Sequence, residues 1–372
     1  MTITKNEKKV DTFFFGIVIT LVVFGLIMFL SASFGVLAKD ESKFYGILFN
    51  QIALGLVGGL FAMWLAYKIP FEFWRKHAFY IFIFAVILTA LVFVPGLGFS
   101  HGGATRWFSI GPISFQPVEF LKIAFIIYFS AWIAWIKPKA EEHGKKIIVP
   151  FLILLGVVTI ILVQQPDTKS LILIMVSGIV MLFVANVPFK YILGLVVVGL
   201  VGFGIMILAQ PYILDRVHTF LDPSRDPYGD SFQLKQAQIA IGAGGLWGRG
   251  LGQGIQKFTY LPEPQGDSIF AVIGEELGFV GSFLTIVLYV LFALRGLRIA
   301  NRSPDMFSRL LVTGLVILLT AQSFLNIASI EGVFPLTGVP LVFISHGGSS
   351  LLFALFSVGI ILNISKRQLS LN

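Results

Sequence analysis

The sequence predicts an all-α polytopic membrane protein with ten transmembrane helices, and three observations carry that prediction. Hydrophobic residues fill 56% of the 372 positions and charged residues only 12%, against roughly 25% charged in a soluble domain. The apolar residues come in runs of about 20, the length that a hydrocarbon core of roughly 30 Å demands of a helix; outer-membrane barrel strands would alternate over about ten residues instead. The positive charges fall between the runs in a one-sided pattern, as they do in proteins of the bacterial inner membrane.

Lys5, Lys8 and Lys9 precede the first apolar run as the basic region of a signal peptide would. No small-residue cleavage site follows, so the run reads as a retained first helix. Apolar windows and their breakers place helices near 12–35, 48–67, 77–95, 117–136, 147–164, 170–186, 190–210, 269–294, 309–330 and 347–364. With the N-terminus inside, the cytoplasmic segments hold Lys5, Lys8, Lys9, Lys68, Arg75, Lys76, Lys137, Lys139, Lys145, Lys146, Lys190, Arg295, Arg298, Arg302, Arg309, Lys366 and Arg367. That is well over half of the 27 Lys and Arg, so both termini belong in the cytoplasm. The formal charge of +8 is then topological and calls for no nucleic-acid partner. Zero cysteines remove any disulfide framework or thiolate site. His77, His101, His143, His218 and His346 show no ligand spacing, so no dedicated metal site is expected.

The chain reads as one membrane domain, 1–372, with three substantial loops outside: about 96–116, about 211–268 and 331–346. The longest lies between helices 7 and 8 and exceeds what a bare connection needs, so it is functional or partly structured. At its start Ile213, Leu214, Val217, Phe220 and Leu221 share one helical face, which predicts a short helix lying at the interface.

Residues that could carry chemistry cluster around these loops. The stretch GLGQGIQKFTYLPEPQGDSIFAVIGEELGFVG, residues 250–281, brings Glu263, Asp267, Glu275 and Glu276 to the mouth of a helix. Asp267 has two readings. It is a solvated acid that helps to start the next helix, or a general base in a partly dry pocket that takes a proton from a hydroxyl. Glu275 and Glu276 cannot face lipid, and must look into the bundle, a cavity or the headgroups. In GGATRWFSIGPISFQPVEFLKIAF, residues 102–125, Pro117 opens a helix. Glu119 and Lys122 follow at i, i+3, where they can pair with each other or face a site. Arg106 offers forked donors to a diphosphate, and Trp107 is an interfacial aromatic or a cavity wall. Gln165 to Lys169 form a tight polar turn, in which an outward Lys169 would add positive field for an anionic lipid. The glycines of IGAGGLWGRGLGQG follow no strand and make no nucleotide loop. His346 to Ser350 lack the elbow of a serine hydrolase, and small residues there serve helix packing.

Taken together, RWFSIGPISFQPVEFLK at 106–122, QPD at 165–167, FLDPSRDPYGDSFQLKQAQIAIGAGGLWGRGLGQGIQK at 220–257, LPEPQGDSIFAVIGEELGFVG at 261–281 and FPLTGVPLVFISHGGSS at 334–350 resemble the SEDS family of RodA- and FtsW-type peptidoglycan glycosyltransferases, with the FtsW branch slightly preferred. The resemblance implies a ten-helix bundle with a large extracytoplasmic loop. It also implies a reaction, in which the 4-hydroxyl of one lipid II molecule, or of a growing glycan strand, displaces undecaprenyl diphosphate from another with inversion. By motif matching, Asp267 would be the base, Arg106, Glu119 and Lys122 would be site residues whose cations meet the diphosphate charge, and Trp107 would line the cavity; Glu263 and Lys169 join them as substrate-binding candidates by charge and position, not by motif. A divalent cation could assist at the diphosphate, although no ligand cluster for one is legible. The partners implied are a class B penicillin-binding protein and other divisome or elongasome membrane proteins. Departures from the common family pattern fall at Gly266 to Phe270, Lys169, Val342 and His346. The acid itself is retained.

Two rivals stay open at this stage. A lipid II flippase or solute carrier would also use intramembrane Glu and Lys, but with a site near the midplane between broken helices. A non-catalytic scaffold for a transpeptidase would need no base.

Overall fold

The computed structural model describes residues 9–101, 104–111, 113–136, 144–222 and 229–367. Lys5, Lys8, Lys137, Lys139 and His143, which entered the charge and ligand arguments, lie outside the described residues. Within them, nine helices are long and apolar enough to cross a membrane, and a tenth apolar helix, Thr168–Val184, is shorter. The helices are α1 (Thr12–Leu37), α2 (Glu41–Phe49) running through a π segment (Asn50–Gly58) into α3 (Gly59–Lys68), α4 (Phe71–Ala90), α5 (Pro117–Ile136), α6 (Gly144–Gln164), α7 (Thr168–Val184), α8 (Phe189–Ala209), α9 (Pro211–Leu221), α10 (Asp230–Gly244), α11 (Ile269–Asn301), α12 (Met306–Ile330) and α13 (Gly348–Ser365). α5, α12 and α13 form the buried centre, while α8 is mostly exposed.

Several boundaries differ from the hydropathy reading for local reasons. α2 begins at Glu41 because the Asp40 side chain accepts from Lys43 N at 3.0 Å, a cap that the polar Glu41, Ser42 and Lys43 hide from an apolar window. α4 begins at Phe71, directly after Pro70. Its first turns carry Trp74, Arg75, Lys76 and His77, whose charges delayed the expected start.

The loop at 96–116 is not irregular. It forms a small antiparallel sheet, β1 (Gly98–His101), β2 (Ala104–Ile110) and β3 (Ile113–Phe115), in the order β1-β2-β3, so the architecture is helical with one three-stranded meander. The long loop contains α9, the expected amphipathic helix, and also α10, which was not expected.

α11 is broken at Gly278, whose φ of 66° is left-handed. The glycine-rich segment 245–254 covers the break: Phe279 N donates to Gly245 O at 2.8 Å, Arg249 N to Glu275 O at 3.0 Å and Gly250 N to Glu276 O at 2.9 Å. A side chain at Gly248 would run into the Glu276 carbonyl, which explains the need for glycine there. Backbone freed within a membrane-spanning helix has to be satisfied by protein, and here the loop does so.

Three ion pairs gather the expected cytoplasmic segments at one end of the bundle. Arg295 Nε meets Asp11 Oδ2 at 2.9 Å, Arg75 Nη1 lies 3.6 Å from Asp305 Oδ2, and Arg367 pairs with Glu72. Because the helices alternate in direction, the meander, the α6–α7 turn, the α9–α10 segment and residues 331–346 share the opposite end.

Candidate active site

The α6–α7 turn is organised by Asp167. Its buried side chain caps α7 by accepting from Ser170 N at 3.3 Å and from Ser170 Oγ at 2.9 Å. Capping at this position starts α7 one residue before Lys169, which places Lys169 in the first helical turn rather than in a free loop. Arg106, projecting from β2, reaches this turn: its Nε donates to Gln165 O at 2.7 Å and its Nη2 to Pro166 O. Guanidinium carries five N–H donors, so others remain after these bonds.

Lys169 Nζ donates to the carbonyl of Gly338. Gly338 has a φ of 63°, and a Cβ built on it would stand 3.0 Å from Asp267 Oδ2 and 3.7 Å from Lys169 Nζ. A left-handed backbone and the absence of a side chain at this one residue therefore let the acid and the ammonium approach each other. Lys169 feels the charges of Asp267, Asp167, Arg106 and Arg216, so opposite signs are interleaved around it.

Asp267 itself is half-buried and lies in the turn before α11. Its backbone carbonyl accepts from Asn326 Nδ2 at 2.9 Å. The carboxylate faces a cavity of about 50 Å³ lined by Arg216, Gln233, Asn326, Ser329 and Thr337 together with Gly338. Arg216, on α9, reaches Thr337 O at 3.5 Å, and Gln233, on α10, donates to Ser268 Oγ at 3.0 Å. The two helices of the long loop thus roof the acid, with a cation at its edge.

Other residues singled out from the sequence sit elsewhere. Glu119 and Lys122 are both buried and pair at 2.8 Å, and Lys122 Nζ also donates to Gln322 Oε1 at 2.9 Å. Trp107 is half-buried opposite Phe99 in the meander. Glu263 is exposed; its Oε2 accepts from Gln265 Nε2 at 3.0 Å and its carbonyl from Gly266 N at 2.9 Å, so it shapes the turn that carries Asp267. None of these four lines the cavity.

Glu275 and Glu276 are fully buried and hold the glycine-rich segment. Glu275 Oε1 accepts from Ile255 N at 2.8 Å, and Glu276 accepts from Gly252 N at 2.9 Å and from Lys257 Nζ at 2.5 Å. Among the described residues, no group of three or more His, Asp or Glu is placed to hold a metal ion.

A known sequence pattern runs nearly the whole length of the chain. The family model described as a cell cycle protein, FtsW/RodA/SpoVE, matches residues 11–369. The chain belongs to the FtsW/RodA/SpoVE family. It is 37% identical over 353 residues to a probable peptidoglycan glycosyltransferase FtsW of Geobacter sp. strain M18, covering 94% of this chain and 95% of that one. Stage V sporulation protein E of Bacillus subtilis strain 168 is 36% identical over 369 residues, covering 98% and 99%. Among solved structures, Thermus thermophilus RodA superimposes with a TM-score of 0.70 at 26% identity over 97% of this chain and 98% of that one. A chain from a study of how a peptidoglycan synthase complex coordinates polymerization and crosslinking gives 0.76 at 27% identity, over 96% and 97%. As an FtsW/RodA/SpoVE member this is a multi-pass membrane protein.

Of the residues that line the cavity, only Asp267 was predicted from the sequence. Arg216 was absorbed into the polar face of an interfacial helix, and Gln233 lay in a helix that hydropathy did not predict. Asn326 and Ser329 did carry a signal, since polar side chains at helical spacing inside an apolar span call for a partner.

Proposed function

We propose that this chain is a peptidoglycan glycosyltransferase that polymerises lipid II on the outer face of the cytoplasmic membrane, with Asp267 as its general base. The observation that carries this reading is the juxtaposition of the Asp267 carboxylate with Lys169 across Gly338, at the edge of a cavity that also presents Arg216. The chain crosses the membrane ten times, α7 included, since its 17 residues span about 26 Å at 1.5 Å per residue. Both termini are cytoplasmic, following the charge distribution.

In the reaction, the sugar 4-hydroxyl of the acceptor attacks the anomeric carbon of the donor. Asp267 accepts the hydroxyl proton as the new C–O bond forms. The bond from that carbon to the diphosphate oxygen breaks on the opposite side, which inverts the centre and releases undecaprenyl diphosphate. Negative charge gathers on the leaving oxygen in the transition state, and preorganised cations in a water-poor site stabilise it strongly. Arg106 and Lys169 serve that role at the α6–α7 turn. A cavity of about 50 Å³ holds a few water molecules and no whole pyranose ring. A divalent cation could accompany the diphosphate. A class B penicillin-binding protein and other divisome or elongasome proteins are the proposed partners, a reading supported by the synthase complex to which the fold is similar.

The flippase and scaffold alternatives both leave Asp267 dispensable. Purified protein given labelled lipid II, wild type against Asp267→Ala, separates them by gel analysis of glycan strands. The enzyme reading predicts polymer from wild type, more of it with the transpeptidase partner present, and none from a folded Asp267→Ala protein. Equal polymer from both would end the proposal.

A further inference from the structure

α12 carries a line of polar side chains through an apolar span. Gln322, Asn326 and Ser329 are spaced i, i+4 and i+7, so they stand on one face. Each holds the chain around Asp267. Gln322 Nε2 donates to Pro340 O at 3.3 Å, and Ser329 Oγ donates to Pro335 O at 3.2 Å. Asn326 Nδ2 donates both to Val339 O at 2.7 Å and to Asp267 O at 2.9 Å. With both amide protons on carbonyls, the partners fix which end of the amide is nitrogen. Its oxygen is buried without a protein partner, although Asn326 is only 2% exposed.

We propose that Asn326 is a positioning residue for the Asp267 base. One amide ties together the two segments that form the reactive edge: the turn bearing Asp267, and the 335–340 segment whose Gly338 separates the carboxylate from Lys169. Gln322, one turn earlier, ties the same helix to Lys122. The buried Glu119–Lys122 pair thus acts on the site by fixing α12, through Gln322 and Asn326, rather than by touching the sugar. The inference rests on the reading of Asp267 as the base. Misplacing a reacting group by about 1 Å is enough to slow catalysis about 100-fold, while substrate binding that depends on other groups is preserved.

Asn363 supplies an internal control. It is buried, its Nδ2 donates to Tyr67 O at 2.7 Å, and its oxygen is likewise unpaired, but it lies at the far end of α13. The full-length protein and its Asn326→Ala, Asn326→Asp, Asn363→Ala and Asp267→Asn variants are assayed for lipid II polymerisation, with rates expressed per folded molecule after size exclusion in detergent. Asn326→Ala should lose about 100-fold in kcat, keep KM within about threefold, and move the acid limb of the kcat–pH profile, which reports the base. Asn363→Ala should lower the melting temperature and keep kcat. Where Asn326→Ala does not fold, Asn326→Asp decides, because it keeps the shape and replaces the donor with an acceptor; slow turnover supports the proposal. Wild-type kcat in a folded Asn326 variant, a rise in KM alone, or an equal loss of kcat in Asn363→Ala overturns it. Full activity in Asp267→Asn would instead overturn the base assignment on which it rests.

Discussion

Replacing Glu276 with leucine is expected to destabilise the protein more than replacing Lys257 with methionine, and the difference follows from what each leaves behind. The Lys257 ammonium and the Glu276 carboxylate are fully buried and 2.5 Å apart. Without Lys257, the carboxylate still accepts from Ser31 Oγ at 2.7 Å and from Gly252 N at 2.9 Å. Without Glu276, the three N–H donors of the ammonium keep only Ser31 Oγ at 2.9 Å and Gly252 O at 3.0 Å, with no counter-charge. Stripping a buried charge of its partner costs about 3–5 kcal/mol, whereas the N–H of the exposed Gly252 turns to water. Glu276→Leu should therefore cost about 5 kcal/mol, since one N–H of the buried ammonium is left with no acceptor, and Lys257→Met about 3 kcal/mol because two donors remain on its partner. The double variant removes both charges and should recover about 2–4 kcal/mol relative to Glu276→Leu alone, a non-additivity expected of contacting groups. Reversible unfolding in mixed micelles, followed by tryptophan fluorescence, measures all three. Single variants equal within about 0.5 kcal/mol, or a double variant equal to the sum of the singles, would refute the reasoning.

Three further outcomes are expected. Arg106→Lys cannot hold Gln165 O and Pro166 O with one forked group, so kcat/KM for lipid II should fall about tenfold, given the loss of bidentate geometry; an unchanged kcat/KM would remove Arg106 from the site. Burial, and after it the Lys43 ammonium, holds the His346 imidazole down to about 4, below its usual value near 6.5. Its contribution to stability is then complete above about pH 6.5 and is lost as the pH falls toward 4, because the unfolded chain takes up the proton first. The melting temperature should drop across that window, and His346→Tyr should flatten the drop; an unaltered slope would contradict the assignment. If a divalent cation assists, it arrives with the diphosphate: Mg²⁺ should lower KM for lipid II and leave the melting temperature of the substrate-free protein unchanged, whereas a rise without lipid would reveal a site held by the protein.

The membrane architecture was legible because hydropathy is a sum over about 20 residues, which single exceptions do not upset. What escaped was short or depended on distant partners. The meander at 98–115 has strands of three to seven residues, stabilised only by pairing across the loop. The break at Gly278 is invisible in composition, since the glycine segment that satisfies it lies some thirty residues earlier. In the site, Asp267 and Lys169 drew notice as charges at helix mouths, but their approach depends on the left-handed Gly338, which no local signal marks. Glu275 and Glu276 were correctly kept away from lipid, although only the structure could assign them to backbone amides of the glycine-rich segment. Asn326 was the most readable omission, an amide four residues after Gln322 in a helix with little other reason to carry one.

The central claim is that the Asp267 carboxylate takes the proton from the attacking sugar hydroxyl. Asp267→Asn keeps the size of the side chain and its backbone bond to Asn326 while removing the basic oxygen. Lipid II binding and glycan polymerisation should be measured on the same folded preparation of that variant. The account predicts binding within a few-fold of wild type and no polymer; strands made at the wild-type rate would contradict it.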